Sequence, residues 1–153
     1  MDYKLLAKQV EALDDEGSNV VGFLANVSAL LFEQMSDVSW VGFYLWDAKS
    51  TTLQLGPFQG KVACMRIPWG SGVCGTAAQR DEVQVVPDVH AFPGHIACDS
   101  ASRSELVLPL HDGEGRVNGV LDLDSTSPAR FTKDDAEGLA LTCSVLERIG
   151  IMG

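Results

Sequence analysis

Glu105-Leu106-Val107-Leu108-Pro109-Leu110 and Val117-Asn118-Gly119-Val120-Leu121-Asp122-Leu123-Asp124 carry the pattern that decides the fold. Both alternate with a period of two, and the turn-rich Asp112-Gly113-Glu114-Gly115 between them predicts an antiparallel hairpin. Leu106, Leu108 and Leu110 share one face of the first strand, and Leu121 and Leu123 one face of the second. The opposite faces carry Glu105, Asp122 and Asp124. A turn centred between Gly113 and Glu114 puts Glu105 across from Asp122, with Asp124 on the diagonal. Directly opposed like charges destabilise a sheet by up to about 1 kcal/mol. Two readings are open: a solvated acidic surface, or an acidic pocket for an ammonium group or a metal ion.

The rest of the chain builds outward from this hairpin. Tyr3, Leu6, Val10 and Leu13 follow helical spacing, as do Val20, Leu24, Val27 and Leu31. From Trp40 to Trp46 the period changes to two, with Val41, Phe43 and Leu45 on one face and Trp40 and Tyr44 on the other. Trp40 and Tyr44 are either core aromatics under a second layer or an aromatic wall beside the carboxylates, suited to a small ligand with a cationic end. Leu53–Leu55 and Val62–Ile67 read as strands separated by the breaker Gly56-Pro57, and Val73–Arg80 as a short helix. Val83–Val86 reads as a strand, and Pro87–Ser102 as a long loop of the kind that is usually functional. Thr132 and Asp135 form a capping-box pattern before a last helix with the stripe Ala136, Leu139, Cys143 and Leu146.

The 153 residues fit one domain over 1–153, with 46 % apolar and 21 % charged residues and a net charge of −10. That balance argues against nucleic-acid binding, which needs a basic face, and against anionic membranes. No apolar run reaches membrane-spanning length, and Met1-Asp2-Tyr3-Lys4 opens an amphipathic segment rather than a signal peptide. A reducing cytoplasm is the expected location, where four cysteines are not a disulfide framework.

Cys98 lies in the long loop outside any apolar stripe, with His90, His95 and Arg103 nearby in sequence to favour its thiolate. His90, His95 and Cys98 also have the spacing H-x4-H-x2-C, but without a close cysteine pair no metal is expected. Cys64 alternates with Val62 on the expected strand and reads there as a buried small hydrophobe, while Cys143 belongs to the core stripe. Gly70-Ser71-Gly72-Val73-Cys74-Gly75 matches a nucleotide-binding glycine pattern, yet the helix after it is too short for that fold, so it reads as a turn needing small residues.

These blocks resemble the free methionine-(R)-sulfoxide reductases. The likeness lies in Gly56-Pro57-Phe58-Gln59-Gly60 through Cys64, Arg66-Ile67-Pro68, and Gly72-Val73-Cys74-Gly75-Thr76-Ala77-Ala78. Val86-Pro87-Asp88-Val89-His90-Ala91-Phe92-Pro93-Gly94-His95-Ile96-Ala97-Cys98-Asp99-Ser100 is the most specific block. Ser104-Glu105 and Gly119-Val120-Leu121-Asp122-Leu123-Asp124-Ser125 complete a likeness that runs from Trp40 to Phe131. Trp69 stands where the pattern leads one to expect Phe, and Cys143 has no counterpart.

The resemblance implies an α/β fold of the α+β type. It is a single GAF-like domain whose central, mainly antiparallel sheet has helices on one face and a ligand pocket on the other. It implies reduction of free L-methionine (R)-sulfoxide with thioredoxin as electron donor and no cofactor, by a homodimer. Cys98 matches the family's nucleophile, Cys64 the cysteine that forms a disulfide with it, and Cys74 a third cysteine of less settled part. Glu105, Asp122 and Asp124 match substrate-pocket carboxylates, and Trp40 and Tyr44 the aromatic wall. The alternatives are a non-catalytic GAF sensor of a small molecule, which leaves the cysteines idle, and a peroxide-responsive thiol switch, which leaves the carboxylates without a ligand.

Overall fold

The alternating hairpin forms as its pattern predicts and becomes part of a six-stranded sheet. In the computed structural model, which describes residues 1–153 apart from Ser18 and residues 97–99, the strands are β1 (Trp40–Asp47), β2 (Thr52–Gln59), β3 (Arg66–Pro68), β4 (Gln84–Val86), β5 (Ser104–His111) and β6 (Val117–Ser125). Their order is β3-β2-β1-β6-β5-β4, and every neighbouring pair is antiparallel. The helices are α1 (Tyr3–Ala12), α2 (Val20–Gln34), α3 (Gly72–Arg80) and α4 (Lys133–Ile149), with a 3-10 turn at Val89–Ala91.

Each long helix starts where a side chain satisfies its free N–H groups. Asp2 accepts from Leu5 N, Asn19 accepts from Gly22 N, and Thr132 and Asp135 form the reciprocal capping box expected before α4. Helix α4 ends at Gly150, whose φ of 84° only glycine adopts without strain. α1, α2 and α4 cover one face of the sheet, where Phe43, Leu106, Leu108, Leu110, Leu121 and Leu123 meet Leu6, Leu24, Leu31, Leu139 and Leu146. Each of these side chains is fully buried, and such burial stabilises by about 1.5–3 kcal/mol per side chain. Cys143 is buried in this core, as its stripe predicts.

The opposite face holds the pocket that the resemblance implies, and one short helix beside it. There α3 packs Val73, Ala77 and Ala78 over Tyr44, Val107 and Val120, forming a second, smaller core. That core borders the acidic part of the same face, so one helix closes a pocket that the sheet alone would leave flat.

Two expected strands are corrected. Gly56-Pro57 does not break β2, because both residues sit where the β1 register slips between Gly42 and Tyr44. A bulge is the one place in a paired strand where proline's missing N–H costs little. Val62–Ile67 is not a strand either: only Arg66–Pro68 pairs, with Thr52–Gln54, and Val62 is 89 % exposed on the preceding loop. Cys64 is therefore a loop residue rather than a strand hydrophobe. Among the described residues, no helix is long and apolar enough to cross a membrane.

Candidate active site

Period-two alternation brings the predicted residues together. Trp40 and Tyr44 on β1, Glu105 on β5, and Asp122 and Asp124 on β6 all line one pocket of about 570 Å³, its mouth included. The register corrects one detail. Glu105 pairs with Asp124, which in turn pairs with Trp40, while Asp122 pairs with Val107 and Gly42 and lies diagonal to Glu105. The cause is in the turn: Gly115 takes a φ of 81°, Asp112 accepts from Glu114 N and Arg116 N, and the register then slips beside Leu110 and His111. Asp112 bonds Arg116, so the turn centres on Glu114, which moves the pairing by one, and the bulged residue in β6 moves it by one more, so that Glu105 meets Asp124 instead of Asp122.

The aromatic wall also holds the loop above it. Trp40 and Tyr44 rings stack with centroids 6.0 Å apart, and Phe58 stacks on Trp40 at 5.2 Å. Gly42 makes this possible, since a Cβ there would collide with Phe58 and with the Trp40 ring. At their polar ends, Trp40 Nε1 donates to the Lys61 carbonyl at 3.0 Å and the Tyr44 hydroxyl donates to the Cys64 carbonyl at 2.9 Å. Both bonds pin the loop that carries Cys64 to the rim of the pocket. Cys64 is disulfide-bonded, whereas Cys74 and Cys143 are free thiols.

Cys74 enters from α3, at the floor of the pocket. The glycine run before it works as a tight turn: Gly70 and Gly72 have φ of 83° and 63°, and a Cβ on Gly75 would stand 2.5 Å from the Pro68 carbonyl. The Cys74 thiol donates toward Glu105 Oε2 at 4.0 Å. Gly72 also lets Ile96 close over the pocket, since a Cβ there would lie 3.1 Å from the Ile96 Cδ1.

Electrostatically this is a site that holds protons. Burial, then the charges of Asp122 and Asp124, push the Glu105 carboxyl well above its ordinary range. Burial raises Asp122 as well, against hydrogen bonds from Glu105 and Cys74 that lower it. Burial and the neighbouring carboxylates keep the Cys74 thiol protonated, and the Tyr44 hydroxyl is raised for the same reasons. Asp122 is 4 % exposed, and its Oδ1 has no hydrogen-bond partner among the described residues. A buried carboxylate oxygen left in that state points to a ligand that supplies the missing donor.

Cys98 lies outside the described residues, so the spacing His90, His95 and Cys98 is described only in part. The His90 and His95 rings meet edge to face at 6.1 Å, and His95 lines the pocket, where burial and then His90 hold its ring below the ordinary imidazole range. Sequence reasoning did not place Ile96, Ser102 or Val73 in the pocket wall. Only the unusual length of the loop and the glycine run hinted at them.

The GAF domain family model matches residues 21–149. Over 147 residues the chain is 51 % identical to a free methionine-R-sulfoxide reductase of Escherichia coli, covering 96 % of this chain and 87 % of that protein. The chain belongs to the free methionine-R-sulfoxide reductases, a family of GAF-domain oxidoreductases. A second such reductase, from Saccharomyces cerevisiae, is 43 % identical, with 90 % of this chain and 79 % of that protein aligned. The crystal structure of the Neisseria meningitidis free methionine-R-sulfoxide reductase in complex with its substrate superposes with a TM-score of 0.91. The two are 45 % identical, and the match covers 98 % of this chain and 89 % of that one. In this member of the family, the acidic cavity between the sheet and α3 is the candidate site.

Proposed function

We propose that this chain reduces free L-methionine (R)-sulfoxide to methionine, and that thioredoxin returns the electrons. The observation that carries the reading is the closed acidic pocket, in which Glu105 sits beside Asp122 and Asp124 under an aromatic wall. Asp122, whose Oδ1 lacks a partner, and Asp124 receive the substrate's ammonium group. A residue within a peptide has no such ammonium, so free amino acid is selected. Trp40 and Tyr44 flank the substrate's sulfoxide side chain.

In the reaction, the Cys98 thiolate attacks the sulfoxide sulfur while the sulfoxide oxygen takes one proton. Glu105, which burial and its neighbours keep protonated, supplies it. The bond between the substrate sulfur and its oxygen breaks as that hydroxyl passes to the Cys98 sulfur, so methionine leaves and Cys98 becomes a sulfenic acid. The Cys64 thiol condenses with it, releasing water and forming a disulfide that guards Cys98 against overoxidation. Thioredoxin's two thiols then reduce that disulfide by exchange. The disulfide-bonded state of Cys64, and its position on the pocket rim, support this resolving part. Cys74, free and buried, serves as a second thiol within the pocket. No cofactor enters the scheme. The chain works as one domain over residues 1–153, in a homodimer and in a reducing cytoplasm.

The test is thioredoxin-coupled NADPH oxidation with free R and free S methionine sulfoxide, wild type beside Cys98→Ser. Turnover of the R form alone, lost in the variant, is expected. Silence with both diastereomers in a folded protein would move the reading to a small-molecule sensor. A disulfide formed with peroxide but not with methionine sulfoxide would move it to a thiol switch.

A further inference from the structure

Cys74, Glu105 and Asp122 each offer one ligand atom, and the three atoms lie within 4.8 Å of one another in fully buried surroundings. Asp122, a member of this group, also lines the pocket, and its buried Oδ1 has no hydrogen-bond partner among the described residues. An ammonium group would satisfy that oxygen but gives the thiol no task. Sulfur beside two carboxylates is a donor set for one kind of ion. Magnesium and calcium take six or more oxygens and avoid sulfur, whereas zinc accepts thiolate and carboxylate together in a tetrahedron. The geometry points to a zinc-binding site formed by Cys74, Glu105 and Asp122 at the floor of the pocket.

The spacing suits such an ion. Zinc bonds of about 2.3 Å to sulfur and about 2.0–2.2 Å to oxygen set tetrahedral ligand atoms roughly 3.5 Å apart. Cys74 Sγ and Glu105 Oε2, 4.0 Å apart, need only a small contraction. Binding replaces the protons of the Cys74 thiol and the Glu105 carboxyl with bonds to zinc, and both protons leave to solvent. Three protein ligands leave a fourth position for water, the arrangement of an exchangeable site rather than a closed structural one. On the reductase reading above, a zinc ion here occupies Asp122, which holds the substrate ammonium, and Glu105, which supplies the proton, so zinc inhibits turnover reversibly and a chelator restores it.

The experiment uses the oxidised chain without added thiol, in which Cys64 is disulfide-bonded and Cys74 and Cys143 are free. Metal-free protein is titrated with cobalt(II) and then with zinc. One equivalent of cobalt should bind, with a sulfur-to-cobalt charge-transfer band and tetrahedral d–d bands that zinc abolishes. Cys74→Ser should remove the charge-transfer band and weaken binding at least about 10-fold, and Cys143→Ser should change neither. Asp122→Asn keeps the sulfur and should weaken cobalt binding by a similar factor, which preserves the test if Cys74→Ser fails to fold. Absence of saturable binding to the wild type, or unchanged binding and spectrum in Cys74→Ser, overturns the site. Free methionine sulfoxide added to the cobalt-loaded chain should displace the metal. Failure of that arm alone, with the band intact, counts against the reductase reading and leaves the metal site standing.

Discussion

At the scale of single residues, Glu105 concentrates the conflict between stability and activity. Its carboxyl is buried beside Asp122 and Asp124 and holds its proton well above the ordinary value of 4.5. The unfolded chain releases that proton near the ordinary value, so above it the folded state binds more protons than the unfolded one. Stability contributed by this group is therefore full at acidic pH and falls as pH rises toward the raised value. Glu105→Gln removes the penalty while keeping the shape. We expect the variant to be more stable than wild type at pH 7 by on the order of 1–2 kcal/mol, with the gain vanishing near pH 4. Its kcat/KM should drop about 100-fold or more, the usual worth of a positioned acid. Urea unfolding across pH beside turnover reads both, and a variant less stable at pH 7 would refute the buried-proton account. This cluster was legible in sequence because alternation by two is insensitive to turn details: Trp40, Tyr44, Glu105, Asp122 and Asp124 all reached the same face. Which carboxylates face each other was not legible, because the turn centres one half-step later than its residues suggest and a bulged residue in β6 adds a second shift, and no spacing rule announces either.

At the scale of elements, the short α3 is the piece that turns an acidic face into a pocket. Its entry depends on Gly75, whose hypothetical Cβ would meet the Pro68 carbonyl at 2.5 Å and Gly70 N at 3.1 Å. Those contacts are with backbone, which cannot rotate away as a side chain would. Gly75→Ala should therefore destabilise by about 1–3 kcal/mol, the typical cost of overpacking, and carry Cys74 away from Glu105. Chemical denaturation measures the first effect, and a faster reaction of Cys74 with a thiol reagent in the native protein measures the second. An alanine variant as stable as wild type, with Cys74 still protected, would show that α3 is not held by this contact. Elements were read from sequence about as well as their length allows. α1, α2, α4, β1, β5 and β6 carry enough periodic residues to declare themselves, and the capping box marks the start of α4. β2 was cut short at Gly56-Pro57 because these two residues form a bulge opposite the single residue Phe43 of β1, and a bulge shows only in the pairing. The Val62–Met65 stretch was misread because alternation alone does not distinguish a strand from a loop that only runs along the pocket rim.

At the scale of the whole molecule, the sheet separates two environments, and what matters is how α3 on one side stays in step with α4 on the other. His111, at the end of β5, reaches both. Its Nε2 lies 2.6 Å from Asp81 Oδ1 at the C-terminus of α3, its Nδ1 meets Glu147 of α4, and its backbone N–H donates to Glu147 at 2.8 Å. Partial burial alone would lower the imidazole's affinity for protons, but the two carboxylates outweigh it and raise the value above 6.5. A folded-state value raised above the unfolded one gives stabilisation that is complete below pH 6.5 and lost as pH climbs through the raised value. Wild type should thus lose Tm as pH rises above 6.5 relative to His111→Gln, whose profile there should be flatter. The pair is partly solvated, so the difference at pH 6 should be modest, about 1–3 °C. Thermal unfolding of both proteins in buffers from pH 5.5 to 8.5 checks it, and parallel curves would mean that folding leaves the imidazole's affinity for protons unchanged. The same titration should leave the pocket's preference for its ligand intact, because His111 lies at the sheet's end and is not among the pocket-lining residues. A shift in substrate KM that followed the His111 titration would instead show that the clasp on α3 sets the position of Cys74.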